Sequence, residues 1–307
     1  MIAACAAAVA APFRVFLLAY AVLGPLHYLT KISWLHDRQY FAAGRGGRGA
    51  WLLLVMLTAA VMAYGYVSTE LVGDAVSPRV EIGMFYVAFA GAAVVVLVRQ
   101  AAVRIAFLAA AVTAVALFSE NPLYGLMAYL LVTIVHVFVF TACFILYGAM
   151  KSKSGSGYIS LAVFLACAVV AIVIRAPAEP PAADVRMLYG AFEQLNFVLL
   201  RLIGQAHNVY DGAAALGVMR FIAFAYTYHY LNWFSKTSII RWHEVTRARA
   251  ALILAAWVGG VSLYLYNYQA GFALFYVLSI MHVMLEFPLN HQALAGIVRG
   301  LRPAHST

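Results

Sequence analysis

The chain has 307 residues, of which 65% are hydrophobic and 10% are charged, and its formal net charge is +9. Soluble domains are about 45–50% apolar and about 25% charged, so this composition excludes a soluble globular protein. The apolar stretches are continuous, unlike the alternating segments of about 10 residues that form membrane barrels. Three cysteines without a CxxC spacing argue against a disulfide scaffold and a zinc knuckle. The composition therefore predicts an all-α integral membrane protein.

Nine segments are long and apolar enough to cross a membrane, since a spanning helix needs about 17–25 residues. The predicted spans lie near residues 11–30, 50–69, 82–99, 102–119, 123–149, 157–175, 210–233, 250–267 and 270–288. The first residues, MIAACAAAVAA, lack the basic region of a secretory signal. We therefore take them as the beginning of the first span.

The basic residues predict how these spans are oriented. If the N-terminus lies outside, fourteen of the 20 lysines and arginines fall on the cytoplasmic side and five fall outside, with Arg220 inside the seventh span. Cytoplasmic loops carry an excess of Lys and Arg, so we predict an N-out/C-in topology. We expect the bacterial inner membrane as the location. The positive charge then belongs to membrane loops and gives no reason to expect a nucleic-acid partner.

One segment, residues 183–208, interrupts the pattern of spans. Glu193, Asn196 and Arg201 break its apolar sequence, so we predict an amphipathic helix at the outer interface rather than a tenth span. The preceding stretch, APAEPPAAD, is rich in proline and cannot continue a helix. These breaks divide the chain into a six-span part (1–175), a break with the amphipathic helix (176–209) and a three-span part with a cytoplasmic tail (210–307).

Arg220 is a separate signal, because a guanidinium group keeps its charge inside a span. It lies ten residues after the beginning of the seventh predicted span at residue 210. We expect its partner to be Asp211, Glu193 or an anionic group of a ligand.

Seven of the nine histidines fall toward the cytoplasmic side of the predicted spans. Ionisable side chains inside the hydrocarbon are energetically expensive, so each one marks a candidate site. At about 1.5 Å per residue, four of these histidines and one glutamate share a slab on the order of 10 Å thick. The preferred metal ligands are His27, His136, His229, His282 and Glu286, and the second choices, just below the slab, are His36, His243 and His291.

Imidazole and carboxylate groups are ligands of iron, zinc, manganese and copper. His282 and Glu286 are four residues apart and share a helix face, and a buried glutamate needs a cation or a proton nearby. We therefore expect one or two metal ions, iron in the first place, with zinc, manganese or copper as alternatives. The segments 26–37 and 228–244 repeat a similar order of His, Tyr, Trp and His, which suggests two half-sites.

These features predict a membrane-embedded metalloenzyme of the oxygenase, hydroxylase or desaturase type. Its substrate is expected to be a lipid or an isoprenoid in the cytoplasmic leaflet, and an electron donor is an expected partner. The arrangement resembles that of histidine-rich integral-membrane di-iron enzymes in general terms. Their HxxxH and HxxHH clusters are missing, because no two histidines here are three or four residues apart, so we carry over no family residues.

Two other functions stay open at the level of sequence. The first is a b-type haem protein for electron transfer, with embedded histidines as axial ligands. The second is a transporter or a membrane assembly factor that holds no metal. No lysine lies in the middle of a predicted span, so a retinal Schiff base is not expected. Walker A, GxGxxG, HExxH, GxSxG and CxxCH motifs are absent, and no catalytic residue is identified besides the ligands.

Overall fold

The computed structural model describes residues 1–38, 55–56, 58–59, 78–98, 100–118, 122–177, 180–205, 208–237 and 241–301. All secondary-structure elements in these ranges are helical. In chain order they are α1 (Ile2–Ala10), α2 (Pro12–Leu18), α3 (Gly24–Arg38), α4 (Pro78–Leu97), α5 (Ala101–Phe118), α6 (Pro122–Leu130), α7 (Phe140–Ser152), α8 (Gly155–Val173), α9 (Ala183–Tyr189), α10 (Glu193–Leu202), α11 (Ala213–Ser235), α12 (Arg247–Tyr266) and α13 (Tyr268–Leu301).

Three short segments connect some of these helices without a break in the helical path. The π-helical segment Ala19–Leu23 joins α2 to α3, and the π-helical segment Leu131–Val139 joins α6 to α7. The 3-10 turn Gly190–Phe192 joins α9 to α10. A π-helix has a wider turn than an α-helix, so it changes which side chains face the same neighbour.

Among the residues that the structure describes, five helical stretches are long and apolar enough to cross a membrane, which indicates a membrane protein. They are Pro12–Asp37, Leu123–Ser152, Gly155–Val173, Arg247–Tyr266 and Tyr268–Leu301. Every predicted span other than 50–69 falls on helical structure, with ends displaced by a few residues except in the first and the last span, whose helices continue to Arg38 and Leu301. The 50–69 span lies almost wholly outside the described residues. The total of nine spans and the N-out/C-in topology stay predictions.

The first predicted span begins differently from our expectation. Residues 2–10 form the separate helix α1, and Ala11 leaves the helical conformation with φ −143° and ψ 64°. The residue before a proline is disfavoured in the α region, whereas proline itself fits the first turn of a helix. Pro12 therefore ends one helix and begins the next, and the prediction that residues 1–11 start the first span was wrong.

The helix that contains the last predicted span is longer than that span. α13 has 34 residues, with Pro288 inside it. At a rise of about 1.5 Å per residue this helix is about 51 Å long, more than a bilayer core needs. The helix therefore continues past residue 288, where the membrane span is predicted to end, and α13 carries His282, Glu286 and His291 on one continuous helix. The end of the span itself stays a prediction.

The chain divides into two compact units. The first unit comprises Met1–His27 and Thr133–Tyr266, and the second comprises Tyr28–Val132 and Asn267–Thr307. These units differ from the division predicted at residues 175 and 210. The predicted division follows breaks along the chain, whereas the units group segments that pack together although they are distant in sequence.

In the first unit, α11 is the helix on which the others pack. It contacts α8, α2 and α1, and most of its side chains are buried. The backbone approach to α8 is close: a Cβ atom added at Gly217 would lie 2.5 Å from the carbonyl oxygen of Ile172. Glycine is the residue that permits such an approach, since it has no side chain.

Arg220 holds the ends of two other helices of this unit. Its guanidinium group donates hydrogen bonds to the carbonyl oxygens of Val9 (3.0 Å), Ile174 (3.0 Å) and Ala176 (2.7 Å). Val9 lies in the last turn of α1, and Ile174 directly follows α8. Helix C-termini leave carbonyl oxygens without intrahelical donors and attract cations. Arg220 is thus bound by backbone carbonyls, not by the acidic partner that we expected.

The predicted amphipathic helix at 183–208 consists of α9 and α10. The hydroxyl group of Tyr189 donates a hydrogen bond to the buried side chain of Asn196. Tyr210 likewise donates to Glu193. Burial and the neighbouring carboxylate raise the pKa of the Tyr210 hydroxyl above its ordinary value. Two of the three polar residues that interrupt this segment, Glu193 and Asn196, therefore form hydrogen bonds within the protein, whereas Arg201 is exposed. Its position at the outer interface stays a prediction, and residues 206–207 lie outside the described residues.

In the second unit, α13 packs along α4, and α4 packs against α5 and α6. The hydroxyl group of Tyr86 on α4 donates a 2.8 Å hydrogen bond to the carbonyl oxygen of Tyr124 on α6. Phe89 on α4 packs edge-on against Phe287 on α13, with ring centroids 5.0 Å apart. The contact between Phe89 and Phe287 fixes the face of α13 that also carries His291, four residues after Phe287.

Candidate metal site

Three histidines predicted as ligands lie together inside the first unit. The ring centroids of His27 and His229 are 4.9 Å apart, and those of His136 and His229 are 5.0 Å apart. The planes of the two ring pairs are inclined at 66° and 61°, so the rings are not stacked. We call these three residues the histidine cluster. They come from distant parts of the chain, α3, the segment Leu131–Val139 and α11.

The histidine cluster is shielded from solvent. His27, His136 and His229 are 0%, 1% and 5% exposed. Aromatic rings of α11 surround His27: Tyr230 lies 5.3 Å from it and Trp233 lies 5.7 Å from it, centroid to centroid. Three imidazoles in such surroundings are neutral or share a bound cation, because an isolated charge is expensive there.

Within the cluster, a ring nitrogen of His27 and a ring nitrogen of His229 lie within 4.8 Å of one another, so these two residues could bind one metal ion. His136 belongs to the cluster by the spacing of its ring from that of His229. His229 has a fixed partner on its other side. The hydroxyl oxygen of Thr141 on α7 lies 2.9 Å from its Nδ1 atom, and both side chains are buried. Histidine ligands in proteins commonly hydrogen-bond through the nitrogen that does not bind the metal.

Both π-helical segments adjoin the cluster. Ala19–Leu23 ends one turn before His27, and Leu131–Val139 contains His136. Such wide turns occur in short stretches and are frequent at functional sites. The wider turns let His27 and His136 point toward the cluster. In uninterrupted α-helices these two side chains would point in other directions.

The second unit holds the predicted ligands His282 and Glu286. A ring nitrogen of His282 and a carboxylate oxygen of Glu286 lie within 4.8 Å of one another. His282 also stacks on Tyr28, with ring centroids 4.5 Å apart. The Nζ atom of Lys31 lies 2.5 Å from Oε2 of Glu286, and both side chains are buried.

Lys31 is a residue that sequence reasoning missed. We expected it in the loop after the first span, whereas it lies on α3 and is only 4% exposed. Its position on the cytoplasmic side stays a prediction. The signal was present in the sequence: apolar residues continue past Lys31 through Trp34 and Leu35, which are also buried. The cation that Glu286 requires is therefore available within the second unit. The metal-ligand role of Glu286 stays a prediction.

The second-choice histidines have different surroundings. His291 is buried, and its Nε2 atom lies 2.9 Å from the carbonyl oxygen of Phe89. His36 is exposed and lies 3.3 Å from the carboxylate of Asp37. His243 is exposed and packs beside Trp242. The structure brings none of these three into the histidine cluster of the first unit.

No family model matches this chain, and no curated protein or solved structure is significantly similar to it. The functional argument therefore rests on the residues themselves.

Proposed function

We propose that the histidine cluster binds a metal ion. The spacing of its rings is the observation that carries this proposal. Two imidazoles that bind one ion at about 2.0–2.1 Å, at angles of about 90–110°, have ring centroids about 4.5–5.3 Å apart. The measured separations of 4.9 and 5.0 Å fall in this range for both pairs that include His229.

The same spacing argues against a haem held between His229 and either of the other two rings. Axial ligands lie on opposite sides of the iron, which requires ring centroids about 6.4 Å apart, with the porphyrin between them. Both measured pairs are more than an ångström closer than that. A metal ion without a porphyrin is therefore the better candidate.

Three neutral imidazoles leave the full charge of a divalent ion in place and leave further coordination positions for other ligands. Sites with three protein ligands and open positions are the usual form of catalytic metal sites. We propose iron as the resident metal and an oxygenase, hydroxylase or desaturase as the enzyme class. A hydroxylation of this type consumes O₂, two electrons and two protons, and yields the hydroxylated product and water. An electron donor is therefore part of the proposal.

The location of the cluster supports a lipid or isoprenoid substrate. The cluster lies among aromatic side chains in a chain with five apolar helices of membrane-spanning length. A substrate that reaches such a site comes most directly from the bilayer. We also propose the bacterial inner membrane as the location. The proposal rests on the first unit alone, and ligand roles for His282 and Glu286 stay predictions.

Metal content and the visible spectrum test this proposal. The protein is purified in mild detergent without chelators and examined by elemental analysis. We expect near-stoichiometric metal and no Soret band. His136→Ala removes one ring of the cluster and is expected to lose most of the metal. His243→Ala is the matched variant, because it removes an exposed histidine of the same unit, and it is expected to keep the metal.

The other outcomes would change the assignment. A Soret band would favour the haem protein. Folded wild-type protein without metal or colour would overturn the proposal and favour a transporter or an assembly factor. Equal metal retention in the His136→Ala and wild-type proteins would show that the ion binds elsewhere.

A further inference from the structure

We propose that Thr141 is a positioning residue of the histidine cluster, which selects Nε2 of His229 as the metal-binding atom. This inference rests on the proposed metal site. Its basis is the 2.9 Å separation between the Thr141 hydroxyl oxygen and Nδ1 of His229. Thr141 and His229 are 1% and 5% exposed, so water does not compete freely for either group.

The chemistry of imidazole determines the direction of this hydrogen bond. A neutral imidazole has one nitrogen with a proton and one with a free electron pair, and only the latter binds a metal. Because Nδ1 faces Thr141, an ion binds His229 through Nε2 and the proton stays on Nδ1. The Nδ1–H group then donates to the hydroxyl oxygen of Thr141. This bond fixes both the tautomer and the rotation of the ring.

The helix geometry explains why Thr141 reaches this ring. Thr141 follows His136 by five residues, and the ring of His136 also packs on His229. In an uninterrupted α-helix, two residues five positions apart point about 140° away from each other. The π-helical segment Leu131–Val139, whose wider turn has hydrogen bonds between residues five apart, covers the first three of these five steps and so reduces this divergence. The π-helical segment Leu131–Val139 thus allows one ligand and one positioning residue to face His229 together.

The affinity for Zn²⁺ tests this role, because Zn²⁺ binds histidine nitrogens. Zn²⁺ is also diamagnetic, which suits the NMR measurement below. The probe is Zn²⁺ alone, titrated against a competing chelator into metal-stripped full-length protein. Thr141→Val keeps the shape of the side chain and removes the hydroxyl group. We expect it to bind Zn²⁺ about 10–100-fold more weakly, as other changes around metal-binding histidines do. Thr141→Ser restores the hydroxyl group and is expected to bind within a few-fold of wild type.

Thr227→Val is the matched control. Thr227 is a buried threonine on α11, two residues before His229, and its hydroxyl group makes no hydrogen bond to any residue that the structure describes. We expect wild-type Zn²⁺ affinity for this variant. A comparable loss in Thr227→Val would mean that loss of a buried hydroxyl group perturbs the fold, and it would overturn the specific role of Thr141.

A second measurement uses the wild-type protein and does not depend on a variant that folds. In Zn²⁺-loaded protein labelled with ¹⁵N-histidine, we expect the resonances of His229 to show a protonated Nδ1 and a metal-bound Nε2. A metal-bound Nδ1 would overturn the inference, as would equal Zn²⁺ affinity of wild type and Thr141→Val. If wild type binds no metal at all, the proposed function itself fails, which is a distinct result.

Discussion

At the scale of single residues, the ion pair of Lys31 and Glu286 is the most demanding feature of the second unit. Both side chains are almost completely buried, with 2.5 Å between Nζ and Oε2. Removing two charges from water is costly, and their attraction offsets this cost only when both partners are present. The complete pair therefore contributes little to the stability of the fold, whereas the loss of one partner lowers that stability strongly.

Glu286→Gln tests this asymmetry. The substitution preserves the shape of the side chain but leaves the Lys31 ammonium group buried without its counter-ion. We expect the free energy of unfolding to fall by about 3–5 kcal/mol, as for other broken buried pairs. Thermal and denaturant unfolding of the detergent-solubilised protein measures the change.

Two further variants make this result specific. Lys31→Met combined with Glu286→Leu removes both charges and is expected to recover most of the lost stability. Glu244→Gln breaks the exposed pair with Arg241, whose atoms are 3.7 Å apart, and is expected to change stability by no more than about 0.5 kcal/mol. Equal losses in Glu286→Gln and the double variant would contradict the ion-pair explanation.

The residues of the site differ in how far the sequence could predict them. Counting depth along each predicted span selected His27, His136 and His229, because a shared depth follows from the constant rise of a helix. Thr141 was missed, because a threonine in an apolar helix carries no signal of its own. Its role depends on the π-helical turn before it, and hydrophobic periodicity does not reveal a change from 3.6 residues per turn.

At the scale of helices, the contact between α8 and α11 determines how closely the backbone of the first unit packs. Gly217 lies against the carbonyl oxygen of Ile172, a backbone atom that cannot rotate away. Gly259 on α12 is a useful contrast, since a Cβ atom added there would have no neighbour within 4 Å. Substitution of Gly217 therefore tests close packing, whereas substitution of Gly259 tests intrinsic helix propensity alone.

We expect Gly217→Ala and Gly259→Ala to change stability in opposite directions. Alanine favours a helix by up to about 1 kcal/mol over glycine, which is the gain expected at Gly259. At Gly217 the added methyl group must separate α8 from α11, and overpacking of this kind costs about 1–3 kcal/mol. Unfolding midpoints of both variants beside wild type test this expectation. A stabilised Gly217→Ala protein would mean that the two helices pack less closely than described.

The helices themselves were largely predictable, and their interruptions were only partly so. Long apolar runs located all the described helices of spanning length. The break at Ala11 was not predicted, because the apolar sequence continues on both sides of it. Pro12 was nevertheless a signal for this break. The extension of α13 past Pro288 was missed for the opposite reason, since a proline inside a helix usually marks its end.

At the scale of the whole molecule, the sequence could not predict the two compact units. The first unit joins residues 1–27 to residues 133–266, and the second unit joins residues 28–132 to the end of the chain. Apolar patterns report where a helix lies but not which helix it packs against. The Pro-rich stretch lies between α8 and α9, yet both of these helices belong to the first unit.

The predicted topology of the chain requires that α11 crosses the membrane. This helix has 23 residues, about 35 Å at the usual rise, which is enough to cross a bilayer. It is nevertheless not among the five apolar stretches. Its polar side chains are inside the protein: Arg220 binds backbone carbonyls, and His229 belongs to the histidine cluster. A helix enclosed by others does not need to be apolar on every side. We therefore expect α11 to span the membrane once.

Cysteine labelling of two exposed positions tests this expectation. Asp184 precedes α11 and His243 follows it, and both are exposed. We expect a membrane-impermeant maleimide to label Asp184→Cys but not His243→Cys on intact cells, in a background where Cys5, Cys143 and Cys167 are replaced by serine. After permeabilisation, both variants should react. Labelling of His243→Cys alone on intact cells would reverse the predicted topology, and labelling of both would mean that α11 does not cross.

The direction of this prediction does not depend on Lys31. Without that buried lysine, thirteen basic residues remain on the predicted cytoplasmic side against five outside. Loop charges orient a membrane protein by their excess, and a single residue does not reverse an excess of this size. Lys31 balances Glu286 inside the second unit, whereas Arg241 lies in the loop after α11 and Arg247 and Arg249 lie in the first turn of α12. We therefore expect the loop that contains His243 to face the cytoplasm.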